Sequence, residues 1–229
     1  RVQKAKPDGT IPIPGSKSHT IRAVILAAVA EGNSEIANPL EGEDCISALK
    51  AVELIGAHTE QKPGLWKIRG AGKNFYLPSK EVDVGNSGSV LYFLSPIAAV
   101  REGRCVFTGD DSIQSRPVGY LIDALTQAGA KAYTAQQDGS MPPLFIEGPI
   151  RPARIYTDGR LSQYISGFMM AAPFLDGTTE IELSDPKETP YLRMTRTWLT
   201  KLGVKADVSA DFKHISVTGP QSWKGFRTV

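Results

Sequence analysis

Pro14-Gly15-Ser16-Lys17-Ser18-His19-Thr20-Ile21-Arg22-Ala23 runs without a break into Val24-Ile25-Leu26-Ala27-Ala28-Val29-Ala30. Pro14-Gly15 is a turn signal that ends a short extended run, Ile11-Pro12-Ile13. Two hydroxyls and a lysine then precede the apolar residues. The pattern predicts a helix with a serine N-cap and Gly32 as its C′ stop. Apolar residues on every side of that helix predict burial. Its first turn leaves backbone N–H groups unpaired and carries partial positive charge. With Lys17 and Arg22 added, this helix mouth suits a phosphate or a carboxylate. An ordinary capped helix with solvated basic residues fits the same spacing.

The apolar helix recurs twice. Val90-Leu91-Tyr92-Phe93-Leu94 through Ala98-Ala99-Val100 leads into Gly103-Arg104-Cys105-Val106, and Tyr164-Ile165 through Met169-Met170-Ala171-Ala172 leads into Gly177-Thr178-Thr179-Glu180-Ile181. An amphipathic helix recurs too, ending at Gly56, Gly129 and Gly203, glycines about 73–74 residues apart. Each reads as a C′ glycine leading to two strand-like runs, such as Trp66-Lys67-Ile68-Arg69, Leu144-Phe145-Ile146-Glu147 and His214-Ile215-Ser216-Val217. The chain therefore reads as one α/β (α+β) domain, residues 1–229, of three β-α-β-α-β-β units at about 16–71, 81–149 and 153–219. The period exceeds that of stacked solenoids, so a pseudo-threefold prism is expected, with three parallel buried helices at its centre.

The three helix mouths are Ser16-Lys17-Ser18, Asn86-Ser87-Gly88-Ser89 and Ser162-Gln163. Parallel packing would bring three N-termini to one surface, a concave patch of N–H donors facing an anion. Gly88 in a first turn costs helix stability but lets a ligand approach the backbone closely. Arg116 follows the polar loop Gly109-Asp110-Asp111-Ser112-Ile113-Gln114-Ser115 and precedes Pro117, read as an N1 proline. Asp44 fits a dipole-stabilising role at the first amphipathic helix, and Tyr191 fits packing at the third.

Composition narrows the remaining classes. Net charge is +2, which gives no reason to expect nucleic acid or a membrane surface as a partner. No apolar run reaches the roughly 18 residues of a membrane span, and no signal or transit pattern is legible. Cys45 and Cys105, without CxxC spacing, read as free buried thiols of a reducing, cytoplasmic compartment. His19, His58 and His214 are scattered, which argues against a zinc site.

The first motif, with Gly85-Asn86-Ser87-Gly88-Ser89, Arg116-Pro117-Val118-Gly119, Ser162-Gln163 and Pro190-Tyr191-Leu192-Arg193-Met194-Thr195 following in order, resembles the 5-enolpyruvylshikimate-3-phosphate synthase family of enolpyruvyl transferases. The resemblance implies an inside-out α/β barrel, helices within, and matches only the N-terminal one of the family's two domains. A C-terminal domain, in cis or in trans, is therefore an expected partner. It also implies that Lys17, Gly88, Arg116 and Gln163 contact phosphoenolpyruvate, and that Ser18, Arg22, Ser162, Gln163 and Tyr191 contact shikimate 3-phosphate. Asn86 and Thr189 complete the implied substrate-binding set, and Lys17 and Arg116 carry the implied catalytic charge. No metal or organic cofactor is implied. The implied reaction joins the shikimate 5-hydroxyl to C2 of phosphoenolpyruvate through a tetrahedral intermediate and expels phosphate.

Three stretches depart from the family pattern. Leu161 stands where a second serine is usual, Tyr92-Phe93 stands where Arg-Pro is common, and Glu188-Thr189 replaces a serine-containing pair. Glu188 would repel a phosphate, so it is expected to point away, leaving Thr189 to supply the hydroxyl. The competing reading is a UDP-N-acetylglucosamine enolpyruvyl transferase, whose loop nucleophile would fall on Asp111. Lys17-Ser18, where that family has Lys-Asn, argues against it. A non-catalytic domain binding a phosphorylated ligand is the alternative from another class.

Overall fold

The computed structural model describes residue 6 and residues 8–11, 13–135 and 140–229. The first unit comprises α1 (Lys17–Ala28), β1 (Glu31–Ala37), α2 (Glu43–Glu53), β2 (His58–Lys62) and β3 (Leu65–Ala71). The second comprises β4 (Val82–Asp83), α3 (Gly88–Ala98), β5 (Gly103–Thr108), α4 (Asp111–Gln114), α5 (Gly119–Gln127), β6 (Lys131–Thr134) and β7 (Leu144–Gly148). The third comprises β8 (Arg154–Thr157), α6 (Ser162–Ala171), β9 (Gly177–Leu183), α7 (Thr189–Lys201), β10 (Asp207–Val208) and β11 (His214–Gly219), and a last strand, β12 (Arg227–Thr228), follows.

Three four-stranded mixed sheets result, ordered β12-β1-β3-β2, β4-β5-β7-β6 and β8-β9-β11-β10. In each, the first pair is parallel and the other two are antiparallel. The threefold repeat is thus explicit in the strand order. It is three separate sheets around the helices, and no sheet closes on itself as a barrel.

One strand is not where the repeat predicts it. Units two and three begin with their own parallel edge strand, β4 or β8. The first unit receives that strand from β12, which lies beyond the predicted end of unit three at 219. Trp223, buried on the approach to β12, donates its indole N–H to the Leu26 carbonyl at 3.0 Å. The predicted extended run before α1 forms no strand at Ile11 or Ile13, which are exposed, and Pro12 lies outside the described residues.

The central helices are buried as predicted. Ile21 and residues 23–28 of α1 are almost wholly shielded, as are most residues of α3 and α6. α3 and α6 run parallel in close contact. Gln163 meets Ser89 at their first turns, and a Cβ on Gly167 would stand 2.3 Å from the Tyr92 carbonyl oxygen, so only glycine permits this approach.

The glycines divide into two sets. At Gly56, Gly129 and Gly203 the predicted C′ role holds, with φ of 103°, 95° and 80°. Each ends a helix in a Schellman arrangement, shown by Ala57 N–H to Val52 O, Ala130 N–H to Leu125 O and Val204 N–H to Leu199 O at 3.2, 3.0 and 2.9 Å. Gly32, by contrast, is not the stop of α1. The helix ends at Ala28, and Gly32 lies inside β1, paired across the sheet with Gly70. Gly103 with Gly148 and Gly177 with Gly219 repeat that pairing. The two partners are glycine for different reasons: Gly32 takes a φ of 97° with open space around it, whereas a Cβ on Gly70 would stand 2.3 Å from the Ala27 and Ala30 carbonyl oxygens at the end of α1.

The polar loop before Arg116 is also more ordered than predicted. It contains α4, capped by Asp110, whose carboxylate accepts from the Ser112 and Ile113 N–H groups at 3.0 and 3.1 Å. Pro117 is not at N1 of the next helix, because α5 begins two residues later with Val118 as its N-cap.

Candidate functional site

The mouths of α1, α3 and α6 share one face with the N-termini of α2 and α7. Lys17 Nζ stands 3.6 Å from Asp44 in the first turn of α2. Asn86 at the α3 mouth donates to Glu43 at 3.2 Å. Gln163 at the α6 mouth donates to Ser89 Oγ on α3 at 2.9 Å. Glu188, the N-cap of α7, accepts from both the backbone N–H and the hydroxyl of Ser162. Arg22 closes the ring from α1 to α7 by donating to the Tyr191 carbonyl at 3.3 Å.

Arg116 reaches this face from the loop after α4. Its guanidinium lies so close over Gly88 that a Cβ there would meet Nη1 at 2.6 Å. The hydroxyl of buried Tyr92 donates to the Pro117 carbonyl at 2.7 Å and so anchors the segment carrying Arg116. Burial pushes the Tyr92 phenol up, keeping it a donor. The Asp110 carboxyl is held below its ordinary value, first by the Ile113 N–H, with the Arg116 charge adding. A groove along Glu43, Ser47, Lys50, Gly85, Asn86 and Asp110 borders the α3 mouth.

The predicted residues occupy different depths. Lys17 and Tyr191 are exposed, while Ser18, Asn86, Arg116, Gln163 and Thr189 are half-buried. Gly88 and Ser162 are buried at the bases of their mouths. Arg22 does not line the open surface. It is 2 % exposed, with Nε donating to Thr195 Oγ1 at 2.8 Å and Nη1 to the Ser18 carbonyl at 3.0 Å. Nη2 reaches Ser166 Oγ at 3.5 Å, and the guanidinium lies 4.6 Å from the centre of the Phe93 ring. Those partners are uncharged, and among the described residues no carboxylate pairs with it. Burial lowers its pKa to about 10, still far above neutrality, so it stays charged.

Glu188 is the second correction. The sequence predicted that it points away, yet its Oε2 sits at 2.9 Å from the Ser162 N and 2.7 Å from the Ser162 Oγ. The physical reason is local. Leu161 at the N-cap of α6 has no side-chain acceptor, so the first-turn donors take the nearest carboxylate. The Thr189 hydroxyl makes no hydrogen bond within the described residues.

Sequence reasoning missed Thr195, Ser166 and Phe93 as the seat of Arg22, and Tyr92 as the anchor of Arg116. The unusual Tyr92-Phe93 pair was the legible signal for two of them. Thr195, present only as the last residue of the Pro190–Thr195 motif, and Ser166 gave no sign of this role, because nothing in a one-dimensional pattern brings α6 and α7 beside α1.

The family model for EPSP synthase (3-phosphoshikimate 1-carboxyvinyltransferase) matches residues 2–229. A 3-phosphoshikimate 1-carboxyvinyltransferase of Acetivibrio thermocellus is 38% identical over 224 residues, 98% of this chain and 52% of that protein. One from Methanococcus maripaludis is 41% identical over 202 residues, 87% of this chain and 47% of that protein. The solved EPSP synthase of Acinetobacter baumannii superimposes with a TM-score of 0.84 at 28% identity, covering 96% of this chain and 48% of that one. The chain thus spans about half the length of the curated relatives it matches. With its threefold sheets and its converging helix mouths, the chain belongs to the EPSP synthase family.

Proposed function

We propose that this chain is the N-terminal, substrate-gripping half of an enolpyruvyl transferase that moves the enolpyruvyl group of phosphoenolpyruvate to the 5-hydroxyl of shikimate 3-phosphate. The observation that carries the reading is Arg22. A buried cation held only by neutral partners is costly, and it sits directly beneath a face of helix N-termini. An anionic ligand on that face would offset the charge. Both substrates carry a carboxylate and a phosphate, which suits such a platform.

In this reading the acceptor hydroxyl gives up its proton as its oxygen bonds C2 of phosphoenolpyruvate and C3 takes a proton, and the tetrahedral intermediate then loses a C3 proton as the C2–O bond breaks and phosphate leaves. Lys17 and Arg116 stabilise the departing phosphate, and Gly88 gives it access to the α3 backbone donors. In this reading the acid and base that move protons come from the half of the relatives' length that this chain does not span. Without it the platform is open to water, which screens Lys17 and Arg116 and loosens substrate orientation. Residues 1–229 alone are therefore expected to bind but not to turn over. The test compares phosphate release by this chain, by the C-terminal half of the Acetivibrio thermocellus relative, and by their mixture. Release by the mixture alone supports the reading, and turnover by residues 1–229 alone would overturn it. In calorimetry with both substrates, Arg116→Ala is expected to lose about 1.5–3 kcal/mol of binding, the size of a charge-assisted hydrogen bond.

A further inference from the structure

The mouth of α6 already holds an anion, and it is the chain's own. Glu188 Oε2 takes both donors of Ser162, the backbone N–H at 2.9 Å and the hydroxyl at 2.7 Å. Ser162 is 1 % exposed, so water does not replace that acceptor easily. The segment around Glu188 is firmly placed. Lys187 N–H bonds the Gly159 carbonyl, Tyr191 N–H bonds the Glu188 carbonyl, and a Cβ on Gly159 would touch the Pro186 backbone. On the other side of Ser162, Leu161 offers no hydroxyl.

A carboxylate and a phosphate competing for the same two donors repel each other, so only one occupies the mouth. We propose that Glu188 is a specificity-determining residue of this family member, a resident carboxylate that a phosphorylated acceptor must displace from Ser162. The proposal rests on the reading of Ser162 as a shikimate 3-phosphate contact, and assigns its two donors to the phosphate. The phosphate reaches the α6 donors only when the Glu188 side chain swings out, and its affinity is reduced by the cost of that swing. An acceptor lacking the phosphate meets no such opposition. Glu188 therefore narrows the advantage of shikimate 3-phosphate over shikimate, whereas a serine here would widen it.

The experiment uses the 229-residue chain, with Glu188→Gln and Glu188→Ser compared against the parent. Gln keeps the size and an acceptor oxygen but removes the charge, and Ser removes both charge and bulk. Unfolding midpoints confirm which variants are folded, and either one suffices. Calorimetry measures shikimate 3-phosphate and shikimate. An NMR titration with inorganic phosphate follows the Ser162 amide. The expected result is shikimate 3-phosphate binding about tenfold or more tighter in the variants, shikimate unchanged, and a Ser162 amide that responds to phosphate at lower concentration. If the parent binds shikimate 3-phosphate and the variants bind it no tighter, the Glu188 proposal fails while the acceptor reading stands. If the variant Ser162 amide responds to phosphate but shikimate 3-phosphate does not bind, the acceptor reading fails and the resident-carboxylate role stands. A Ser162 amide indifferent to phosphate in both variants overturns the proposal outright.

Discussion

Gly88 and Arg116 constrain each other. Any side chain at 88 would collide with the Arg116 guanidinium, the movable end of a long side chain. Gly88→Ala is therefore expected to leave stability unchanged or slightly raised, since alanine favours the helix, and to weaken phosphoenolpyruvate binding by displacing Arg116. Calorimetry beside a urea melt separates the two effects, and equal binding by the variant would remove Gly88 from the site. His19 gives a pH signature. Trp198 donates its indole N–H to His19 Nδ1 at 3.0 Å, a bond that requires Nδ1 to be unprotonated. Burial first, then the charges of Arg22 and Lys201, hold the imidazole below its ordinary 6.5. The folded state thus binds fewer protons than the unfolded chain as pH falls through that range. The His19 contribution is complete above 6.5 and is lost as pH drops towards the folded value. Urea midpoints measured above and below the histidine range should fall on the acid side, and His19→Gln should flatten that fall. At this scale the sequence was legible where chemistry is local, as in the exposed Lys17 and the glycine of the α3 mouth. It was not legible for Arg22 and Glu188, whose positions depend on residues far along the chain.

The elements were the most readable level, because helix ends carry local chemistry. The three Schellman glycines follow from period and composition alone. They also supply an internal comparison. A Cβ on Gly129 or Gly203 meets nothing within 4 Å, so alanine there costs only the left-handed backbone, roughly 1–2 kcal/mol. A Cβ on Gly56 would also stand 2.7 Å from the Tyr76 ring. Gly56→Ala is thus expected to destabilise more than the other two, which should match each other. Denaturant melts of the three variants check the order, and a Gly129 variant worse than the Gly56 variant would contradict it. The misread glycine, Gly32, shows the limit of element-level reading. A glycine just beyond an apolar helix looks like a stop, but Gly32 serves a left-handed backbone of φ 97° inside β1, opposite a Gly70 that is crowded by the carbonyls at the end of α1. That pairing is tertiary and leaves no mark in the local pattern.

For the whole molecule, the repeat predicted three units around three helices, and the sheet orders reproduce it. The loan of β12 to the first sheet was not legible. β12 is two residues long, and a two-residue parallel edge pairing has no hydrophobic period of its own. Its consequence is that the C-terminal strand is tied to the first unit through β1, with Trp223 fixed against α1. The central claim at this scale is that the converging helix N-termini form the ligand platform, and that the groove on the third sheet, lined by Arg154, Glu182, Asp207 and His214, does not. Hydrogen exchange of the 229-residue chain, with and without saturating phosphoenolpyruvate and shikimate 3-phosphate, tests it most directly. The account predicts new protection confined to residues 17–18, 86–89, 116 and 162–163. Protection concentrated instead along β8, β9 and β11, or absent from all the helix mouths, would contradict it.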